Sequence, residues 1–206
     1  MARIARAKVV EAVQSQQGKT RPEAQVPGAV LVPLLADEEA TLLFTLRSES
    51  HRKFPGEVSF PGGHREQRDR SLEATALREL EEEVNVAAHQ VKVVGTLDDR
   101  GVYGRVWIRP YVGVLAKEAV ASPDPREVDG VFFEALADLA RPEAYEGRRI
   151  DVPGAERVVH YFRTPHGTIW GATGRIVAEL LALAAGWVPP REPRRVARVE
   201  ELVEDL

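Results

Sequence analysis

Between residues 78 and 83 the chain reads Arg-Glu-Leu-Glu-Glu-Glu, the densest run of chemically useful side chains in the sequence. On a helix turning about 100° per residue, Glu79, Glu82 and Glu83 share one face roughly 100° wide, while Glu81 points away. Like charges at i and i+4, as at Glu79 and Glu83, cost an isolated helix about 0.2–0.5 kcal/mol per pair. A hard divalent cation would offset them: Mg²⁺ takes carboxylate oxygens, keeps some waters and offers its remaining positions to substrate phosphates. The plain alternative is a solvated acidic face. Against it stands Phe60-Pro61-Gly62-Gly63 just upstream, where a backbone without side chains lets peptide groups approach a metal or a phosphate closely.

The elements that must hold these residues can be read from periodicity. Ser71 to Val84 lacks Gly and Pro and carries Leu72, Ala76, Leu77, Leu80 and Val84 at helical spacing, with Ser71 as N-cap. Phe54 to Arg70, rich in Gly, Pro and charge, reads as an irregular surface loop. Upstream, Ala29–Leu35 and Thr41–Arg47 have strand character, with Asp37-Glu38-Glu39 as a turn between them. Further strands are expected at Val91–Leu97, Val106–Leu115 and Gly130–Phe133, and a second long helix from about Ala172 to Ala185. Ile4, Ala5, Val9, Val10 and Val13 suggest a short amphipathic helix at the start, followed by a polar loop from Ser15 to Pro27. This order of elements predicts an α+β fold, helices packed on a mixed β-sheet.

The acidic helix resembles the C-terminal half of the Nudix hydrolase signature, G-x5-E-x7-R-E-U-x-E-E-x-G-U with U apolar, matched by Arg78-Glu79-Leu80-Glu81-Glu82-Glu83-Val84-Asn85-Val86. Two positions depart. The acid separated from Gly63 by five residues is Asp69, one residue further from Arg78 than the pattern asks. The usual Gly is Asn85, which can also end a helix in the left-handed region. The preceding loop, Arg47-Ser48-x3-Arg52-x3-Gly56-x3-Phe60-Pro61-Gly62-Gly63, resembles the added signature of the coenzyme A pyrophosphatase branch. Leu97-Asp98-Asp99, Arg109-Pro110-Tyr111-Val112-Gly113, Pro125-Arg126-Glu127-Val128 and Ile169-Trp170-Gly171-Ala172-Thr173 also look like that branch, so the resemblance covers roughly residues 28–185.

It implies a Nudix-type α/β/α sandwich and an enzyme that hydrolyses the diphosphate of coenzyme A and its derivatives, using Mg²⁺ or Mn²⁺. The products would be adenosine 3′,5′-bisphosphate and 4′-phosphopantetheine. Glu79, Glu82 and Glu83 would bind metal, with the Gly63 or Gly62 carbonyl as an extra ligand. Arg78 would orient a neighbouring carboxylate by a bidentate contact. The base could be a box Glu or a distant acid, with Glu127 the loop candidate; Asp98 and Asp99 could instead cap a turn. Arg47 and Arg52, with Lys53, would supply positive charge for the substrate's 3′-phosphate. Trp107 and Trp170 could stack an adenine or belong to the core. The competing readings are a Nudix pyrophosphatase for ADP-ribose, NADH or nucleoside triphosphates, and a non-catalytic binding module of the same fold.

Composition sets the outer limits. In 206 residues there are 28 Lys+Arg against 32 Asp+Glu, five His and no Cys. The absence of Cys excludes disulfides, thiolate metal sites and Cys nucleophiles. A net charge of −4 argues against a nucleic-acid partner. No uncharged apolar run reaches about 18–20 residues; Ile176 to Val188 is interrupted by Glu179, and the basic start lacks a secretory h-region. A cytoplasmic protein with no membrane association is expected. The chain divides into an N-terminal helix and linker (1–27), a catalytic domain (28–188) and a charged tail (189–206). In the tail, Val196, Val199, Leu202, Val203 and Leu206 could form a helical stripe docking on the domain or on a second copy in a homodimer.

Overall fold

Strand β1 (Gly28–Leu34) is apolar almost without interruption because both of its faces are buried. In the computed structural model, which describes residues 3–16, 18–48, 56–102, 106–152 and 155–202, alternate side chains of β1 enter two different cores. Ala29 and Leu31 pack with Leu72, Ala76, Leu80 and Val84 of the acidic helix. Val32 and Leu34 face the other way, into a core shared with Val9, Val13, Ile176, Val177 and Leu180. Two layers of helix therefore sandwich one sheet, and β1 is the strand both layers rest on.

Around β1 the sheet is mixed. Strand β2 (Thr41–Arg47) follows antiparallel, β3 (Val58–Ser59) pairs with β2, and β4 (Gly62–His64) lies antiparallel to the first half of β1. On the other side come β5 (Val91–Thr96), β6 (Arg100–Val102) and β7 (Val106–Leu115), with β7 parallel to β1 over its full length. Strand β8 (Val128–Ala135) pairs with β2. Helix α1 (Arg6–Ser15) and helix α2 (Leu72–Val84) sit on opposite faces, and the single turn α3 (Leu136–Leu139) follows β8. A second sheet holds β9 (Tyr145–Val152), β10 (Ala155–Thr164) and β11 (Gly167–Ile169) as an antiparallel meander. Helix α4 (Gly171–Ala185) returns to the α1 side, and β12 (Arg194–Arg195) adds a parallel edge to β9.

The expected helices and the strands flanking them form, and the fold is the expected α+β sandwich. Three stretches differ from expectation. The Gly-rich segment before α2 contains the short strands β3 and β4, so its backbone polar groups are paired rather than left to solvent. Residues 145–169, for which the apolar pattern suggests nothing, build the second sheet. In the tail, the backbone of β12 extends the small sheet, Val196 is buried, residues Val199–Leu202 form a single 3-10 turn, and Arg148 and Tyr161 donate to the carbonyls of Glu201 (2.8 Å) and Leu202 (2.5 Å); Val203 and Leu206 of the expected stripe lie outside the described residues.

Asp98 and Asp99 have a structural task. Asp98 accepts from the Lys19 N–H (2.8 Å) and Asp99 from the Arg21 N–H (2.6 Å), while Arg109 forks onto Asp99 at 2.9 and 3.0 Å. They pin the segment after α1 across the sheet.

Candidate active site

Ser71 starts α2 by accepting from the Ala74 N–H (3.1 Å), and Asn85 ends it in the left-handed region at φ 57°. The helix's last carbonyls, which have no partner within the helix, are met by the loop before β8. Asp124 N–H donates to Glu83 O (2.9 Å), Ser122 N–H to Val84 O (3.0 Å), and the Asn85 amide holds Ser122 O (3.0 Å). This fastening brings Glu127 to the same end of α2 as the acidic cluster. Its charge acts on both Glu79 and Glu83.

Arg78 organises the helix face. Its guanidinium forks onto Asp69, with Nε 3.0 Å from Oδ1 and Nη2 3.1 Å from Oδ2, and also donates to the His64 carbonyl at 2.9 Å. Asp69 is buried and accepts further from Thr75 Oγ1 (3.0 Å) and the Glu66 N–H (2.9 Å). Arg78 above all, with those other donors, holds the Asp69 carboxyl down at about 2. One residue out of register in sequence, Asp69 still reaches Arg78, because the segment before α2 folds back over the helix. Through its last nitrogen Arg78 touches Glu79 (2.9 Å) and Glu82 (2.7 Å). The bidentate contact expected of Arg78 is thus made to Asp69, and both are tied to β4.

The three glutamates do not behave alike. Glu82 is exposed and paired with Arg68 (2.8 Å) as well as Arg78. Glu79 is half-buried, and burial raises its pKa against the pull of Arg78. Glu83 is only 7% exposed. Burial pushes its carboxyl up to about 8, reinforced by Glu79 and Glu127 and opposed by the Gly62 N–H and by Arg47. Among the described residues no group of three or more His, Asp or Glu side chains is gathered closely enough to hold a metal. What converges is the pair Glu79 and Glu83 with the peptide groups of β4.

The two glycines of β4 have different reasons to be glycine. A Cβ at Gly63 would stand 2.3 Å from Glu79 Oε1, so the Glu79 carboxylate occupies the space a side chain would need. A Cβ at Gly62 would strike the β1 backbone, 2.6 Å from Ala29 O. Gly63 pairs with Ala29 in register with the bonds Leu31 N–H to Pro61 O and Arg65 N–H to Pro27 O. Gly63 therefore turns its peptide groups to β1, and Gly62 turns its own outward, its N–H reaching Glu83 Oε1 at 3.3 Å. Gly62, rather than Gly63, presents its backbone to the carboxylates.

Arg47 enters from the end of β2, where a bulge between Leu46 and Arg47 re-aims the strand. Its charge acts on Glu83 and on Glu57, a half-buried acid just before β3 that sequence patterning missed. Glu57 carried a signal all the same: an acid directly before an apolar strand residue in an otherwise Gly-, Pro- and Arg-rich loop. Arg52 and Lys53 lie outside the described residues. Trp107 carries the Arg21 guanidinium on its ring at 3.5 Å, and Trp170 lies parallel to Tyr161 at 6.3 Å, so both indoles are engaged within the fold.

A buried carboxyl whose pKa is raised as that of Glu83 is, beside backbone oxygen donors, exchanges its proton for a hard cation. With Arg47 facing them, the cluster can accept a metal–phosphate assembly. A family model described as NUDIX domain matches residues 25–152. The chain is 35% identical over 152 residues to the uncharacterized Nudix hydrolase NudL of Photorhabdus laumondii, covering 74% of this chain and 81% of that protein. It is 41% identical over 135 residues to the peroxisomal coenzyme A diphosphatase NUDT7 of Mus musculus, covering 65% of this chain and 57% of that protein. Among solved structures, the Nudix hydrolase RenU of M. smegmatis aligns over 56% of this chain and 74% of its own at 19% identity, with a TM-score of 0.46. Among the described residues no helix is long and apolar enough to cross a membrane.

Proposed function

The chain belongs to the Nudix hydrolases, and within that family we propose that it cleaves the diphosphate bond of coenzyme A and its derivatives with a divalent cation, Mg²⁺ or Mn²⁺. The observation that carries the substrate is the 41% identity to a coenzyme A diphosphatase. The motif from Arg47 to Gly63, which delivers Arg47 to the carboxylates, agrees with it.

The donor set fits the cation: Glu79 and Glu83 offer hard oxygens, and of the two carbonyls expected as an extra ligand, Gly63 and Gly62, that of Gly62 is the one turned outward from β1. Glu82 would join the donors by exchanging its exposed contacts with Arg68 and Arg78, and such surface pairs contribute only about 0–1 kcal/mol each. Bound there, the cation would neutralise charge on the diphosphate oxygens and acidify a water.

The chain's own groups do the rest. Arg78 is a positioning residue, locked by Asp69 and steering Glu79 and Glu82. Glu127, presented by the loop fastened to α2, is the proposed base that takes the proton from the attacking water. Arg47, with Arg52, meets the substrate's phosphates and offsets the negative field of the glutamates. Water adds across the P–O–P bridge, giving adenosine 3′,5′-bisphosphate and 4′-phosphopantetheine.

The test is to incubate coenzyme A with the wild-type chain and with Glu83→Gln at saturating Mg²⁺ and to identify products by mass. Wild type is expected to yield the two products. Glu83→Gln should lower turnover by at least a hundredfold with unchanged melting, since a neutral amide is a poor ligand for Mg²⁺. Near-full activity in Glu83→Gln would refute the metal assignment, and intact coenzyme A with wild type would refute the substrate.

A further inference from the structure

A base carried on a loop needs that loop held still, because loops place side chains less precisely than helices and strands do. Glu127 is exposed and stands in the connection between β7 and β8. The residue that steadies it is three positions upstream.

Pro123 and Pro125 fix the backbone on either side of Asp124. Asp124 donates its N–H to Glu83 O (2.9 Å), and its own carbonyl accepts from the N–H groups of Glu127 and Val128 (3.0 Å each). Two hydrogen bonds through one residue therefore join the backbone of Glu83 to that of Glu127. On the far side, the Glu127 carbonyl accepts from the Ser48 N–H (3.5 Å), next to Arg47.

The Asp124 side chain completes the turn. Oδ1 accepts from the Arg126 N–H (2.9 Å) as an Asx turn, and the carboxylate takes the Arg126 guanidinium as a fork, with Nε 3.0 Å from Oδ1 and Nη2 on Oδ2. Arg126 adjoins Glu127, and the Glu127 charge acts on it. A guanidinium released from Asp124 would find its next acceptor in Glu127 and occupy the carboxylate that must take a proton.

We propose that Asp124 is a positioning residue for the base: it ties the Glu127 backbone to the end of α2, closes the turn, and keeps Arg126 off the Glu127 carboxylate. The role rests on Glu127 being the base, and not on which diphosphate is cleaved.

Steady-state rates on whichever of coenzyme A, ADP-ribose and NADH the wild type cleaves fastest provide the test. Asp124→Ala should lower kcat at least tenfold, as misplacing a reacting group does. KM and the Mg²⁺ concentration giving half-maximal rate should stay within about twofold of wild type, since the backbone bond to Glu83 remains. Asp124→Asn keeps an acceptor for the Arg126 N–H and should recover part of the loss. In a Glu127→Gln background, Asp124→Ala should cost less than a further twofold, because no base is left to position. An equally large fall in that background, or one accompanied by a raised Mg²⁺ requirement, would make Asp124 a fastening of α2 alone and overturn the proposal. A wild-type rate in Asp124→Ala, with Glu127→Gln crippled, would overturn it as well and leave the base in place. Full activity in Glu127→Gln would refute the base, and the role of Asp124 with it.

Discussion

Asp69 is the residue whose importance is easiest to underrate. It is an aspartate where the family pattern has glutamate, displaced by one position, and still the buried partner of Arg78. Its carboxyl is held at about 2 against an ordinary 3.8, so the pair contributes stability that is fully present above about pH 4 and lost as pH falls through about 2. Asp69→Asn should cost about 1.5–3 kcal/mol at pH 7, the worth of hydrogen bonds to a charged group. It should also remove the part of the acid-induced loss between pH 4 and 2. Urea unfolding at pH 7, 4 and 2.5 checks this, and parallel curves for the two proteins would contradict it. Activity should fall too, because Arg78 then no longer fixes Glu79.

At the scale of elements, the site depends on β4 lying flat against β1 with nothing between Gly63 and Glu79. Gly63→Ala puts a methyl where the Glu79 carboxylate is, and a carboxylate at the end of a flexible side chain can step aside. The expected result is a melting temperature within a few degrees of wild type and a kcat at least tenfold lower. Gly62→Ala instead meets the β1 backbone, so it should destabilise the fold itself. Thermal melts and steady-state rates on the two variants separate these cases; equal loss of stability in both would contradict the assignment.

Much of this level was legible in the sequence, because α2 has clean periodicity, a Ser cap and an Asn end, and β1, β2 and β7 are apolar runs of strand length. The second sheet was not, since β9 and β10 mix Arg, Glu and His with their apolar residues. The sign that sequence reading passed over is the Pro153-Gly154 dipeptide standing between the two runs. The outward turn of Gly62 was likewise hidden, because it follows from register with β1 and not from residue type. Separating Glu82 from Glu79 and Glu83 required knowing where Arg68 lies.

Across the whole molecule, the α2 side gathers carboxylates, while beside α4 guanidinium groups are interleaved with Glu179 and Asp98. His160 of β10 is partly buried, and its pKa is pushed down to about 4 from 6.5, first by burial and then by Arg175 and Arg100. Because the unfolded chain binds that proton more readily, the contribution is intact above about pH 6.5 and lost as pH falls toward 4. The melting temperature should drop over that window by the equivalent of about 2–3 kcal/mol, and His160→Gln should flatten the drop. A profile in His160→Gln as steep as wild type would place the acid sensitivity elsewhere.

The claim that joins both scales is that the carboxylate face serves coenzyme A. One competition reaction tests it: equimolar coenzyme A, ADP-ribose and NADH with the wild-type chain and Mg²⁺, each followed by mass. The ratio of depletion rates gives the ratio of kcat/KM. Coenzyme A should disappear at least tenfold faster than either rival, with adenosine 3′,5′-bisphosphate and 4′-phosphopantetheine rising in equal amounts. Faster loss of ADP-ribose or NADH would contradict the coenzyme A assignment while leaving the metal-dependent hydrolase in place.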